Sequence, residues 1–294
     1  MAGGYYWTEW GGSPAASKLY HSKTEDGAGT LIGKTVNTDS LIRNLDLRIL
    51  TNGSKVYYTV ESTKTRTWQE GSKTGIYCGS VNGSKAKLVK TITQKAGNGK
   101  LQLVSVYGGK LYYRVNYSVY GDYARRTPLY SLDLKTKKVK KVSGDFDSSY
   151  TYNSGGDRYL YGASFGKDGL RIFDCKKDKF IRTISTASAQ GSAIDGGRLY
   201  YLVTNGEKDY TKIYSASRSG ADRKPVLEGL PYNTWIDVIS KDYICYRIND
   251  GLDGHIYMTA TGEDRKLDQM DYQNYIKENP HGANIYTGSG VLRG

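Results

Sequence analysis

Histidine, cysteine and proline are scarce in this sequence, and the motifs of common enzymes are missing. The 294 residues include 3 His, 3 Cys and 5 Pro. No G-x-S-x-G, H-E-x-x-H, P-loop or paired-cysteine motif occurs, so acyl transfer, zinc chemistry and phosphate transfer have no support. Cys78, Cys175 and Cys245 fit neither a disulfide framework nor a metal site. We expect unpaired, mostly buried thiols.

The histidines and one acidic loop are the remaining candidates for a metal site. His21 directly follows the aromatic residue of its strand, where other repeats carry Cys, Ser, Asp or Met, which predicts a histidine packed within a strand. The segment "NDGLDGH" (249–255) lacks the alternating oxygen ligands and the distant glutamate of an EF-hand, so we interpret it as a turn. We therefore expect no cofactor and no metal.

Long hydrophobic runs are also missing. No stretch of about 18 apolar residues exists and the mean hydropathy is −0.60, so we expect no membrane insertion. Residues 1–4 lead straight into a strand-like stretch without the basic and apolar regions of a signal peptide. If the native protein is exported, its leader has been removed.

Positive charge is in excess. Lys plus Arg exceed Asp plus Glu by 42 − 29 = 13, which attracts acidic polymers, nucleic acids and anionic surfaces. The run "LKTKKVKKV" (134–142) alternates lysine with apolar residues, as a half-solvated outer strand does. We favour that interpretation over a nucleic-acid stripe, and nucleic acid is not an expected partner.

Glycine and tyrosine are abundant, and they recur in a repeated pattern. There are 36 Gly and 28 Tyr, a balance typical of short strands and tight turns. An aliphatic–aromatic pair occurs six times, with its aromatic residues 57, 53, 43, 41 and 43 positions apart. The pairs are Leu19-Tyr20, Ile76-Tyr77, Leu129-Tyr130, Ile172-Phe173, Ile213-Tyr214 and Ile256-Tyr257.

Each pair is flanked by three further strand-like segments. Upstream lies a second aromatic strand, usually led by a glycine turn, such as "GGYYWTE" or "GGRLYYLV", and before it another short strand. Downstream lies a strand rich in basic and β-branched residues, such as "KAKLVKTI". Four strands in about 49 residues match a blade of a β-propeller. Because a blade packs on neighbours through both faces, adjacent aromatic residues are both expected to be buried.

The predicted fold is therefore all-β: one six-bladed β-propeller spanning 1–294, with four-stranded antiparallel blades. We expect the C-terminal strand to close the ring by joining the N-terminal blade, which removes open sheet edges. The approximate blades are 1–36 plus 282–294, 41–93, 100–144, 149–186, 190–229 and 234–271.

The repeats resemble those of a known family. Tyr6-Trp7-Thr8-Glu9 approaches the YWTD signature, and Tyr6-Trp7 occupies the slot of Tyr57-Tyr58 and Tyr200-Tyr201. The whole chain is similar to six-bladed YWTD-type propellers of the low-density-lipoprotein-receptor class and, more closely, to bacterial propeller domains of unknown function. The resemblance implies a bacterial extracellular or cell-surface protein. It does not imply receptor function.

Candidate binding residues lie in the longer connectors. Antiparallel order places the long second-to-third loops 61–75 and 116–128 on the same rim as the connectors between blades. Aromatic faces beside Arg or Lys suit sugars with acidic groups, peptides or stacked bases. Tyr272 and Tyr275 are assigned to this rim as well. The predicted binding residues are Lys64, Arg66, Trp68, Tyr117, Tyr120, Tyr123, Arg125, Arg126, Tyr232 and Trp235.

The sequence thus favours a non-catalytic recognition or scaffold module that binds a glycan, a cell-wall polymer or a protein. We expect a monomer or a part of a longer multidomain chain. The alternative is a hydrolase or lactonase acting on sugars at the mouth of the central channel, as in other six-bladed enzymes with clustered carboxylates or histidines.

Overall fold

Short tyrosine- and valine-rich strands joined by glycine turns form six antiparallel sheets, each built mainly from consecutive strands. The computed structural model describes residues 5–9, 18–23, 28–34, 50–62, 72–83, 86–94, 101–115, 128–143, 158–163, 169–184, 189–205, 208, 210–248, 254–278 and 283–284. Two-residue turns such as Gly108-Gly109 and Gly196-Gly197 have positive φ, which glycine adopts without a steric penalty. The expected all-β fold class is confirmed: these sheets are the blades of a β-propeller.

The chain divides into two compact units, of which the first contains sheets 1 to 3. Sheet 1 has three described strands, and sheets 2 and 3 have four each. The strands are β1 (Tyr5–Glu9), β2 (Lys18–Ser22), β3 (Thr30–Lys34), β4 (Leu50–Asn52), β5 (Lys55–Ser62), β6 (Ser72–Ser80), β7 (Lys87–Gln94), β8 (Leu101–Tyr107), β9 (Lys110–Val115), β10 (Leu129–Asp133) and β11 (Val139–Ser143).

The second unit contains sheets 4 to 6 and a helix. Sheet 4 has three described strands, sheet 5 has four and sheet 6 has five. The elements are β12 (Tyr159–Ala163), β13 (Leu170–Asp174), β14 (Lys179–Thr183), β15 (Ala189–Asp195), β16 (Arg198–Asn205), β17 (Tyr210–Ser217), β18 (Lys224–Leu230), β19 (Thr234–Ile239), β20 (Tyr243–Ile248), β21 (Gly254–Met258), β22 (Asp264–Leu267), α1 (Gln269–Glu278) and β23 (Ala283–Asn284).

Within each unit, neighbouring sheets pack face to face through the paired aromatic residues. Tyr57 lies in a cluster shared by sheets 2 and 3, whereas Tyr58 lies in a cluster shared by sheets 1 and 2. Tyr200 and Tyr201 likewise face sheet 6 and sheet 4. The expectation that adjacent aromatic residues are both buried is confirmed, since each of these rings is at most 4% exposed.

Strand register places the aromatic residues of the second and third strands opposite each other. Tyr58 pairs with Tyr77, Tyr113 with Tyr130 and Tyr201 with Tyr214, and their rings stack with centroids 5.3–5.7 Å apart. In sheet 1, Trp7 and Tyr20 occupy the same register. The predicted equivalence of the Trp7 and Tyr58 positions is therefore correct.

In five of the six described sheets, the fourth strand has a bulge opposite the repeated aliphatic–aromatic pair. The register between third and fourth strands shifts inside the pair, so the fourth strand carries one additional residue there. That residue is always aliphatic and β-branched. The five residues are Ile32, Val89, Val142, Ile181 and Val226. Four of them join the clusters between sheets, so the bulge adds a side chain to the core.

Sheet 6 bears on two sequence predictions. Ala283–Asn284 pair with β19 of sheet 6, so these two residues do not belong to the N-terminal blade to which 282–294 were assigned. The rest of that segment lies outside the described residues, and closure of the ring by the C-terminal strand stays a prediction. The predicted last blade, 234–271, runs into α1, because Asp268 caps a helix there: Asp271 N–H donates to Asp268 Oδ1 at 2.9 Å. That the chain forms one domain stays a prediction.

Candidate binding surface

Eight of the ten predicted binding residues lie outside the described residues: Lys64, Arg66, Trp68, Tyr117, Tyr120, Tyr123, Arg125 and Arg126. The two that are described, Tyr232 and Trp235, lie where β18 leads into β19. Their side chains are 45% and 39% exposed, although both are large and apolar. Together they present aromatic surface at one end of sheets 5 and 6.

The backbone that carries these aromatic residues is fixed by hydrogen bonds. Thr234 N–H and Oγ1–H both donate to Pro231 O, at 3.2 and 2.8 Å. Thr211 Oγ1 on β17 donates to Tyr232 O at 3.3 Å, which ties the connector to sheet 5. Because the turn is ordered in advance, a ligand that contacts its side chains does not have to order the backbone.

Arg247 lies beside Trp235, one strand away in register. Its guanidinium binds Asp237 in a bidentate pair, with Nε–Oδ2 at 2.7 Å and Nη2–Oδ1 at 2.9 Å, and its side chain is one-third exposed. Asp237 is itself the additional residue of a bulge between β19 and β20, which directs its carboxylate to this face. The guanidinium is therefore held beside the indole and not left to rotate in solvent.

Tyr272 of α1 contacts the same carboxylate, that of Asp237. Its hydroxyl donates to Asp237 Oδ2 at 2.8 Å, and burial, followed by the negative charge of Asp237, raises the pKa of Tyr272. Burial likewise raises the pKa of the Cys245 thiol to about 12, with Asp237 as a second cause. Tyr272 and Tyr275 were predicted on the rim. That was wrong, because Tyr272 is fully buried and the Tyr275 ring packs edge-on against Tyr243.

Tyr210 and Lys212 form a separate aromatic and cationic site on sheet 5, because Lys212 pairs with Val203 on the face that packs toward sheet 4. β17 begins at Tyr210 and pairs through Thr211 with Leu230, the residue before the connector. Lys212 Nζ lies 5.3 Å from the Tyr210 ring centroid and 3.1 Å from Glu228 Oε1. The hydrogen bond that Lys212 donates to Glu228 raises the pKa of Lys212, so its charge is retained. Tyr232, Trp235 and Arg247 together form the connector surface.

The chemistry that this surface offers is stacking and charge contact. Indole and phenol rings stack on sugar rings or planar groups, and a nearby guanidinium attracts carboxylates. Sequence reasoning identified Tyr232 and Trp235 but missed Arg247. Its position opposite Trp235 depends on a bulge that the sequence does not mark.

The described parts of the chain hold no group of three or more His, Cys, Asp or Glu placed to bind a metal ion. His21 is buried in its strand, as predicted. His255 stacks on Tyr246 with centroids 4.8 Å apart, and its Nδ1 lies 3.4 Å from Asp264 Oδ1. Residues 249–253 of the acidic loop, and His281, lie outside the described residues. The hydrolase alternative gains no support.

The cysteine and membrane predictions are tested by the described residues. All three cysteines are free, with Cys175 and Cys245 buried and Cys78 half-buried, as expected. No described helix is long and apolar enough to span a bilayer.

Comparison with known proteins identifies the fold but no family. Neither a protein-family model nor a curated protein matches the chain. An uncharacterized protein of Listeria monocytogenes is similar in structure, with a TM-score of 0.53 and 10% identity over 92% of this chain and 81% of that one. The β-propeller domain of the Trilobed protease of Pyrococcus furiosus matches with a TM-score of 0.50 and 16% identity, over 89% and 79% of the two chains.

A longer enzyme also contains a similar structure. Prolyl oligopeptidase B of Galerina marginata matches with a TM-score of 0.53 and 11% identity, over 97% of this chain but 41% of that one. At these identities the similarity shows a β-propeller and nothing finer. The resemblance to YWTD-type repeats is not confirmed.

Proposed function

We propose that this propeller is a non-catalytic recognition module that binds an acidic glycan or cell-wall polymer through the connector surface. The observation that carries the proposal is the exposure of Tyr232 and Trp235 on a turn fixed by hydrogen bonds, with Arg247 held beside Trp235. Large exposed aromatic side chains on an ordered backbone are typical of binding surfaces.

Charge and stacking together favour an acidic sugar over a neutral ligand. Arg247 is paired with the carboxylate of Asp237, so the local charge is balanced, but the chain as a whole carries a net charge of +13. That excess attracts polyanions, while the rings supply the specific contact. A single contact of this type is worth about 0.5–1 kcal/mol at an exposed site, so several must act together.

The test removes the two exposed rings. The double variant Tyr232→Ala/Trp235→Ala is compared with wild type on a glycan array, and the best acidic glycan is then titrated calorimetrically. We expect an affinity loss of at least about tenfold, because both stacking contacts disappear. The matched control is Leu88→Ala/Val139→Ala, which removes two side chains that are 53% and 41% exposed on outer strands.

Equal binding by the double variant and wild type, with unchanged unfolding, would contradict the proposal. A peptide array run in parallel separates the ligand classes. If wild type binds peptides and no glycan, and the double variant loses peptide binding, the ligand is a protein and the glycan assignment is wrong.

We also place the module at a bacterial cell surface, as one part of a longer chain with YWTD-like repeats. The location rests on the resemblance of Tyr6-Trp7-Thr8-Glu9 to YWTD-type repeats. The Trp7–Tyr20 register, which repeats that of Tyr58 and Tyr77, supports the repeat, and the similar propeller that forms one domain of the Trilobed protease supports a longer chain. Labelling intact cells with an antibody against the propeller tests the location. Labelling only after cell lysis would contradict it.

A further inference from the structure

A groove lined by lysines lies between sheets 2 and 3 of the first unit, at their turn ends. Its volume is about 400 Å³, which is large enough for a sugar phosphate or a similar small ligand. Lys55 comes from the first hairpin of sheet 2, and Lys135 and Lys137 come from the last turn of sheet 3. We propose that this groove, here called the lysine groove, binds a phosphate group.

The lysines are not offset by acidic side chains within the groove. Among the described residues that line it, three are cationic and none carries a carboxylate. Lys55 and Lys135 are exposed, so their ammonium groups reach solvent and a ligand alike. Like charges converging on one cavity repel each other, and an anion bound between them removes that repulsion.

The turn that carries two of these lysines is held rigidly. Asp133 Oδ1 accepts hydrogen bonds from Lys135 N–H at 3.0 Å and Thr136 N–H at 2.7 Å, and these bonds lower the pKa of Asp133. Leu134 N–H donates to Gly109 O at 2.9 Å, which joins this turn to the first hairpin of sheet 3. The backbone positions of Lys135 and Lys137 are therefore set before a ligand binds.

Neutral donors complete the groove. Asn52 offers a side-chain amide, and Tyr57 lies at the base. Burial, with a contribution from Cys78, raises the pKa of Tyr57 to about 12, so its hydroxyl remains protonated. Lysine acts as a compact point charge that several residues can direct at one dianion, whereas planar carboxylates are matched better by arginine, which does not line the groove.

Cys78 provides a reporter inside the groove. It lines the cavity and is half-buried, while Cys175 and Cys245 are buried. Alkylation of the folded protein therefore occurs first at Cys78. Iodoacetate is anionic and iodoacetamide is neutral, so the ratio of their rates measures the positive potential at the thiol.

The experiment compares wild type with Lys55→Gln/Lys135→Gln. We expect the iodoacetate-to-iodoacetamide rate ratio to fall about threefold in the variant, as expected for removing charges several ångströms away in water. We also expect inorganic pyrophosphate to slow alkylation of Cys78 in wild type at least fivefold, and much less in the variant. Lys137 is left in place because its Nζ donates to Leu134 O at 2.6 Å and supports the turn.

The matched control is Lys138→Gln/Lys140→Gln, which removes the same charge from exposed positions outside the groove. The proposal is overturned if the control lowers the ratio as much as the groove variant, or if pyrophosphate does not protect wild type. Equal protection by citrate would overturn the assignment to phosphate. Tyrosine near-UV circular dichroism verifies that each variant is folded, and iodoacetamide alone reports whether Cys78 has become more accessible.

Discussion

Sheet 6 is built differently from the five sheets that precede it. In sheets 1 to 5 a bulge adds an aliphatic residue to the fourth strand, beside the repeated aliphatic–aromatic pair. In sheet 6 the pair Ile256-Tyr257 matches Arg265 and Asp264 without a shift. The outer strand of sheet 6 therefore adds no side chain of this kind to a core.

In sheet 6, a helix supplies the additional apolar side chains. One face of the sheet packs on sheet 5 through Ile236, Ile244 and Tyr246. Its other face, which includes Cys245 and Ile256, is covered by α1 through Tyr272 and Ile276. Tyr272 lies directly over Gly254, where any side chain would collide with the ring.

The difference shows that two structures can satisfy the same requirement. A sheet with apolar residues on both faces needs a partner on each. Where another sheet lies alongside, a bulged outer strand fills the space between them. On the far face of sheet 6, ten residues of amphipathic helix cover the apolar surface instead. The helix also positions Asp237, and through it Arg247 of the connector surface.

The stacked tyrosine pairs of sheets 2 and 5 give the largest expected effect. Sheet 6 has no such pair at this position, because Tyr257 lies opposite Ile244. Burial raises the pKa of Tyr58 and of Tyr201 to about 12, compared with about 10 in the unfolded chain. Their stabilising contribution is complete below pH 10 and is lost as pH rises to 12, by up to about 2.7 kcal/mol each.

Tyr58→Phe and Tyr201→Phe test this pH dependence. Neither hydroxyl has a hydrogen-bond partner among the described residues, so we expect little change in unfolding free energy at pH 8. At pH 11.5 each variant should exceed wild type by about 2 kcal/mol, because Phe does not ionise. Urea unfolding at both pH values measures it, with exposed Tyr232→Phe as the control. If wild type, both variants and the control lose the same unfolding free energy between pH 8 and pH 11.5, ionisation of the buried phenols does not cause the loss of stability at high pH.

Gly254→Ala should remove α1 from sheet 6. A Cβ at this position would collide with Cδ2 and Cγ of the Tyr272 ring, so the ring and the helix must move. We expect a loss of about 2 kcal/mol in unfolding free energy, within the usual range for overpacking. Because the clash requires the ring, the same substitution in a Tyr272→Ala background should cost less than about 1 kcal/mol. Similar costs in both backgrounds would show that the helix is not held at this point.

The sequence was sufficient to predict the six sheets, but it did not predict the helix that distinguishes sheet 6. Tyr57-Tyr58 and Tyr200-Tyr201 were predicted to be buried because adjacent aromatic residues require two apolar neighbours. The helix was missed although Asp268 caps it and Tyr272, Tyr275 and Ile276 follow helical spacing. The expected repeat placed Tyr272 and Tyr275 in a connector between blades, so their helical spacing was not used.

The connector surface was predicted only in part for a related reason. Trp235 could be identified because it follows a turn, but Arg247 becomes its neighbour only through the strand register. That register includes the additional residue Asp237, and bulges leave no reliable mark in a single sequence. The same limit explains why the basic outer strands were predicted while their bulged residues were not.

The bulged residues give the smallest expected effect and the most direct test of the difference between sheets. Val226 packs into the cluster between sheets 5 and 6, so Val226→Ala should lower the unfolding free energy by about 1 kcal/mol. Val139, on the outer strand of sheet 3, is 41% exposed and lies outside the bulge, and Val139→Ala should cost less than about 0.5 kcal/mol. Urea unfolding of the two variants makes the comparison. If both substitutions cost the same, the bulge does not bring its extra residue into the core, and the sixth sheet would differ from the others only by its helix.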